Sequence, residues 1–165
     1  NQVRIEYVIV ELNLTELDGY DPTKTSFVLD QINPINSFYS EQLTLGTGPH
    51  TIIDSSEDPQ ESFKLSMRLN IDGIDSKEVK IKMALRREIA IPKTTAPTNA
   101  ITYSETVPLN RYLVIPDRVP RTIQNFTGSS ILSSLMQSQL FLTQQSELVH
   151  AIRFHSPTQE SSEQP

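Results

Sequence analysis

Phe63-Lys64-Leu65-Ser66-Met67-Arg68-Leu69-Asn70-Ile71-Asp72 alternates apolar and polar residues without a break. Successive side chains of a β-strand point to opposite faces. Phe63, Leu65, Met67, Leu69 and Ile71 therefore share one face, and Lys64, Ser66, Arg68, Asn70 and Asp72 the other. Asp72-Gly73 opens a turn. The stretch from Lys77 to Ile91 answers in kind: Val79, Ile81, Met83 and Leu85 alternate with Lys80, Lys82, Ala84 and Arg86. Two such runs around a turn set the fold class, all-β and mainly antiparallel. Each is also about the length that crosses a bilayer when tilted, roughly 9–11 residues. The alternation alone fits a water-facing antiparallel sheet better than a membrane wall, because antiparallel sheets with one wet face are common.

Working outward, Val3 to Leu14 is another β run. Val3, Ile5, Tyr7 and Ile9 lie on one face; Arg4, Glu6, Val8 and Val10 lie on the other, which turns apolar along its length. That pattern predicts a central strand whose second half is covered on both sides. Asp18-Gly19-Tyr20-Asp21-Pro22 reads as a turn. Residues 23 to 60 carry only short β-like pieces, Ser26 to Leu29, Gln42 to Leu45 and Thr51 to Asp54, and end in an acidic stretch. They read as a hairpin or long excursion. Beyond a Pro/Thr-rich loop from Pro92 to Asn99, Ile101 to Val107 and Tyr112 to Ile115 read as a strand pair. Ser129 to Leu142 is the one helical pattern, with Gly128 and Ser129 as caps. Ile131, Leu132, Leu135, Met136 and Leu140 form its apolar stripe, with Phe141 beside them. Leu148 to Phe154 is the last strand. One domain is expected over 1–157, followed by a disordered polar tail over 158–165.

The chain has 165 residues, long enough to bury a core. Its 14 basic and 20 acidic residues leave a net charge of −6, which argues against a nucleic-acid partner. It has no cysteine, so disulfides, thiolate chemistry and Cys-based zinc sites are excluded. No apolar run reaches 18 residues, which excludes a transmembrane helix but not a membrane β-barrel. The first residue is Asn1 and no signal peptide is read, so a processed form or a fragment of a longer protein is expected.

No constellation of catalytic, cofactor-binding or metal-binding residues emerges, and an enzyme is not expected. His50 sits in a Gly-Pro loop. His150 and His155 flank the end of the last strand on opposite faces, without ligand spacing, and read as surface or edge residues. Gly128-Ser129-Ser130 lacks the second glycine of a nucleophile elbow. Gly46-Thr47-Gly48 is followed by Pro49 and not by a phosphate-binding Lys-Ser/Thr. The acidic stretch Asp54 to Glu61 has no glycine and is interrupted by Pro59, so it does not read as a calcium loop. Asn13-Leu14-Thr15 and Asn125-Phe126-Thr127 fit the glycosylation acceptor pattern, which matters only in a secreted eukaryotic protein.

The order of the segments resembles that of the secretin domain, the ring-forming channel of the bacterial outer membrane. The opening run Val3-Arg4-Ile5-Glu6 through Ile9-Val10-Glu11 is similar to the family's first strand. Phe63 to Ile71, Asp72-Gly73-Ile74-Asp75, and Val79 to Ile89 resemble its alternating strand, acidic turn and answering strand. Ile101 to Val107 and Tyr112 to Ile115 resemble the next pair. Gln139-Leu140-Phe141 falls at its Leu-Phe segment, and Glu147-Leu148-Val149 through Pro157 at its closing strand. The chain departs from the family in three places. Pro116-Asp117-Arg118 stands where a Gly-Gly is usual, Ser133 to Ser138 lacks the family's Gly/Pro run, and the gate region at residues 20 to 60 is short.

The resemblance implies a structural subunit of a homo-oligomeric ring in the bacterial outer membrane or periplasm. Its partners would be further copies of itself, the membrane, and a protein, pilus or phage cargo, with no cofactor. Phe63, Leu65, Met67, Leu69, Ile71, Val79, Ile81, Met83 and Leu85 would form the barrel wall. Leu135, Met136, Leu140 and Phe141 would pack the helix on that wall or on a neighbour. The alternative is a non-channel β-sandwich module of an envelope, capsid or appendage. A channel should show an apolar, lipid-facing band flanked by aromatics. A sandwich should bury one face of each alternating strand and turn Lys64, Arg68, Lys80 and Lys82 to water.

Overall fold

Among the described residues of the computed structural model nine strands follow one another: β1 (Gln2–Asn13), β2 (Val28–Leu29), β3 (Asn36–Gly46), β4 (Gly48–Asp54), β5 (Phe63–Ile74), β6 (Glu78–Ile89), β7 (Thr98–Pro108), β8 (Tyr112–Asp117) and β9 (Ser146–His155). Two short helices, α1 (Ser130–Leu135) and α2 (Gln139–Leu142), precede β9. The structure describes residues 1–21, 27–90, 98–123 and 130–156. Residues 92–97 of the expected Pro92 to Asn99 loop, the Gly128 and Ser129 caps, the Asn125-Phe126-Thr127 triplet and the tail 158–165 lie outside the described residues; Thr98 and Asn99 are not loop but the start of β7.

The alternating hairpin forms the centre of a four-stranded sheet in the order β4-β5-β6-β7. The remaining strands form a five-stranded sheet in the order β2-β8-β9-β1-β3. All pairings are antiparallel. The two sheets bury their apolar faces against each other. Val3, Ile5, Tyr7 and Ile9 of β1, with Leu148, Ile152 and Phe154 of β9, meet the inward residues of β5 and β6 in one core. Each such side chain taken out of water is worth roughly 1.5–3 kcal/mol.

β1 is central, as expected, lying between β9 and β3. Its second half is covered on both faces. Val10 and Leu12 join Val114 and Val149 in a second cluster on the outer side of the five-stranded sheet, roofed by Leu17, Tyr20, Phe27, Leu29 and Ile32. Part of the chain between β1 and β3 thus serves as that cover. The excursion also holds a long strand where only Gln42 to Leu45 was expected: β3 runs for eleven residues. β3 and β4 are nearly one strand, broken at Thr47, which passes from one sheet to the other. Gly48 takes φ 112 at this bend, a conformation that costs other residues dearly. His50 Nε2 lies 2.7 Å from the Gly46 carbonyl oxygen across it. β7 and β8 make the corresponding passage at Asn110, whose φ of 65 is one that asparagine tolerates.

The single helix expected over Ser129 to Leu142 is instead two, and the chain turns at Met136–Gln137 between them. Ser138 starts the second as its N-cap, accepting from the Phe141 amide. A polar Ser-Ser-x-x-Gln-Ser stretch with a good internal cap breaks the helix that the apolar stripe alone predicts.

Candidate functional site

All nine residues assigned to a barrel wall lie in the core between the sheets. None of Phe63, Leu65, Met67, Leu69, Ile71, Val79, Ile81, Met83 and Leu85 is more than 3% exposed. Their apolar face has its partner within the chain and does not need lipid to leave water. The opposite face carries exposed Arg68, Lys80, Lys82 and Arg86, half-buried Lys64 and, on β7, exposed Thr102 and Ser104. It is a wet face. Of the helix residues, Leu132, Leu135 and Phe141 are fully buried, and Ile131, Met136 and Leu140 are half-buried. Leu132, Leu135 and Phe141 pack into the chain's own core, with Ile131 and Met136 against its rim.

Among the described residues the lateral strand edges are left unpaired. β7 bonds β6 over eleven residue pairs, from Glu78–Pro108 to Glu88–Thr98. No strand lies on its other side among the described residues. Natural edges are usually blunted by lysine, proline or a bulge. β7 has no lysine, no proline before its last residue, and Glu105 as its one charge. The other edge, β4, is shorter and carries both Pro49 and a bulge between Thr51 and Ile53. Because β3 runs on into β4 and β7 leads directly to β8, each lateral side of the sandwich offers an edge from each sheet. One side has β3 and β4; the other has β7 and the part of β8 beyond its short pairing with β2.

A buried polar chain ties the two sheets together between those sides. The Tyr7 hydroxyl lies 2.9 Å from His150 Nδ1, and His150 Nε2 lies 2.9 Å from Asp117 Oδ2. Arg87 of the other sheet donates to Asp117 Oδ1 from Nε at 2.9 Å and from a terminal nitrogen at 2.7 Å. None of the four residues is more than 2% exposed. Burial, and then the Asp117 charge, push the Tyr7 phenol well above its usual range and keep it protonated. An ionised carboxylate can only accept, so the His150 Nε2–H donates to Asp117. Burial alone would raise the Asp117 carboxyl. The His150 and Arg87 hydrogen bonds and charges outweigh it and bring the carboxyl down to about 2. The Tyr7 phenol fills the position where a triad nucleophile would stand.

Two further knots fix the C-terminal elements. Buried Glu11 accepts from Ser138 at 2.6 Å, Ser146 at 2.5 Å and Asn36 at 2.9 Å. Arg121 lies over the Phe141 ring at 4.2 Å and donates to Glu147 at 2.9 Å and to the Ser146 carbonyl at 2.6 Å.

The reading of His150 as a surface or edge histidine is thus corrected. β9 lies between β1 and β8, and His150 points into the core. His50 and His155 are half-buried. Among the described residues no group of three His, Cys, Asp or Glu could hold a metal ion. Compared with known protein families, curated proteins and solved structures, the chain matches none.

Proposed function

We propose that the chain is a wall-forming structural subunit that assembles with further copies of itself through its lateral strand edges, as the secretin-like order of its segments implies. The observation that carries this reading is the long, unguarded β7 edge, which is placed beside β8 while β4 stands beside β3 on the opposite side. The β7/β8 side of one subunit meets the β4/β3 side of the next. Such a head-to-tail contact repeats, and it closes into a ring when the rotation allows. Closure removes every strand edge. The opening and closing strands that carry the secretin resemblance lie side by side in ten residue pairs, Arg4–His155 to Asn13–Ser146, so both belong to the same layer of that wall. The ring is a passive conduit for protein, pilus or phage in the outer membrane or periplasm, and its work calls on no catalytic group or cofactor. The Lys/Arg/Ser/Thr face of the four-stranded sheet turns to water in it, not to lipid.

The second reading is a non-channel β-sandwich module of an envelope, capsid or appendage. Burial of both apolar faces within one chain favours it. Class-averaged electron microscopy, with the mass in solution measured with and without mild detergent, separates the two. A ring with a central lumen is expected. A monodisperse monomer or small oligomer that needs no detergent would sink the ring and leave the module.

A further inference from the structure

The two lateral sides of the sandwich are made to continue one another. Three antiparallel pairings separate β4 from β7, and three separate β3 from β8. In each sheet these outer strands therefore run in opposite directions. A second copy set beside the first in the same orientation extends both sheets as antiparallel ones. The registers give the level. Ile53 of β4 pairs with Met67, Met67 with Leu85, and Leu85 with Ile101 of β7. Ile53 and Ile101 thus share one row from opposite edges, both half-buried at the rim of the core.

At this level, between the edge strands β3 and β4, the sandwich has a pocket of about 250 Å³. Ile9, Phe38, Tyr39, Ile53, Leu65 and Ile131 give it apolar walls. The pairing of β1 with β3 slips at Phe38, so Phe38 and Tyr39, successive in sequence, both reach it. Its polar lining is already bonded. The Ser55 hydroxyl accepts from the Leu65 amide at 2.9 Å, and the Glu61 carboxylate accepts from the Phe63 amide at 3.1 Å. What the pocket offers is room for an apolar group.

We propose that the pocket seats Ile101 of the next copy. This rests on the head-to-tail assembly proposed above and fixes its register. Directly opposed residues of an antiparallel pair have Cβ atoms about 4.5–5.5 Å apart. Ile101 of one copy, set opposite Ile53 of the next, therefore points between the sheets where the pocket lies. A cavity of about 150 Å³ already takes benzene, so an isoleucine side chain fits. An apolar knob that matches a pocket elsewhere on the same surface makes a contact of the head-to-tail kind. The other sheet leaves the way clear. Through Ile9 and His150, Tyr39 of β3 is level with Ile115 of β8, whereas β2 pairs only with Tyr112 and Leu113. A slip of two residues would keep the inward face inward. It would bring Tyr103, a larger ring with a hydroxyl, or Asn99, whose amide lies 3.4 Å from Asp117 in its own chain.

The test is disulfide trapping in the full chain, which has no cysteine of its own. Within one chain positions 53 and 101 are three strand spacings apart, roughly 14 Å. A disulfide needs Cα atoms within about 7 Å, so any bridge between them joins two copies. Ile53→Cys with Ile101→Cys, oxidised with diamide, should give a ladder of linked oligomers on a non-reducing gel. Ile53→Cys with Tyr103→Cys, two residues out of step, should give at least tenfold less, and each single variant none. Mass photometry should show oligomers of the natural chain. Ile101→Asp should raise the concentration for half-assembly at least tenfold, and Thr102→Asp, outward on the same edge, less than threefold. Circular dichroism and melting check that the variants keep the fold. Oligomers without the 53–101 bridge, or an equal yield from the 53–103 pair, overturn the seating and leave the head-to-tail reading standing. A dimer from Ile101→Cys alone, or a natural chain that stays monomeric at every concentration, overturns both.

Discussion

Arg87, Asp117 and His150 each occupy a position that the strand period reserves for an apolar residue. Arg87 follows Val79, Ile81, Met83 and Leu85 on the inward face of β6; Asp117 follows Leu113 and Ile115 on β8; His150 sits between Leu148 and Ile152 on β9. A lone polar residue in an apolar register was therefore legible as a signal. What the alternation could not say is that the three find one another, since the Tyr7–His150 contact joins residues 143 apart. Removing one member of such a buried pair is costly, about 3–5 kcal/mol, because the other charge is left unpaired. The pH consequence has a definite sign. The Asp117 carboxyl is held at about 2 in the fold against 3.8 in its absence, so its contribution is complete above pH 5 and is lost as pH falls from 4 through 2. The shift corresponds to about 2 kcal/mol. Urea midpoints at pH 6, 4, 3 and 2 should fall more steeply in that window for the natural chain than for Asp117→Asn, which should already be weaker at pH 6. Parallel lines would show that another group titrates.

At the scale of elements, legibility followed two-faced burial. β5 and β6 have one buried and one wet face and were read nearly to their ends. β3 was not, because much of it is half-buried on one face and exposed on the other, so Asn36-Ser37-Phe38-Tyr39-Ser40-Glu41 shows no clean period. β8 extends through Pro116, which a strand reading stops short of. The proline is tolerated because, among the described residues, β2 pairs only with Leu113 and Tyr112 and no strand pairs with Pro116 on that side. The β3–β4 bend was hidden because Gly46-Thr47-Gly48-Pro49 reads as an ordinary turn, whereas the chain carries straight on into the other sheet. Its demand on Gly48 can be checked directly. An added Cβ there meets nothing within 4 Å, so Gly48→Ala pays only for its backbone angle, about 1–3 kcal/mol. Gly46→Ala, whose Cβ would meet the Asn1 carbonyl oxygen at an ordinary 3.5 Å, should be close to neutral. Thermal melts of the two variants test this. Equal melting temperatures would mean the bend does not depend on glycine.

At the scale of the molecule the outward pattern decides what the sandwich can do with its surface. Among the described residues the apolar faces of the long strands are used within the chain, so the association proposed above runs through strand edges and not through a shared apolar wall. A head-to-tail contact and an isologous one differ in where they stop. The first joins β7 of one copy to β4 of the next and continues; the second joins β7 to β7 and ends at two copies. The absence of cysteine in the sequence makes the difference measurable. Thr51 and Thr102 stand at opposite ends of one outward row, on β4 and β7. A chain carrying both Thr51→Cys and Thr102→Cys, treated with a short bis-maleimide at native concentration, should give a ladder of covalent oligomers on a denaturing gel. Each single variant should give none. A dimer from Thr102→Cys alone would establish β7–β7 pairing and end the ring, since that contact leaves no second edge of the same kind to continue it. No product from any variant would place assembly, if it occurs, away from the four-stranded sheet's edges.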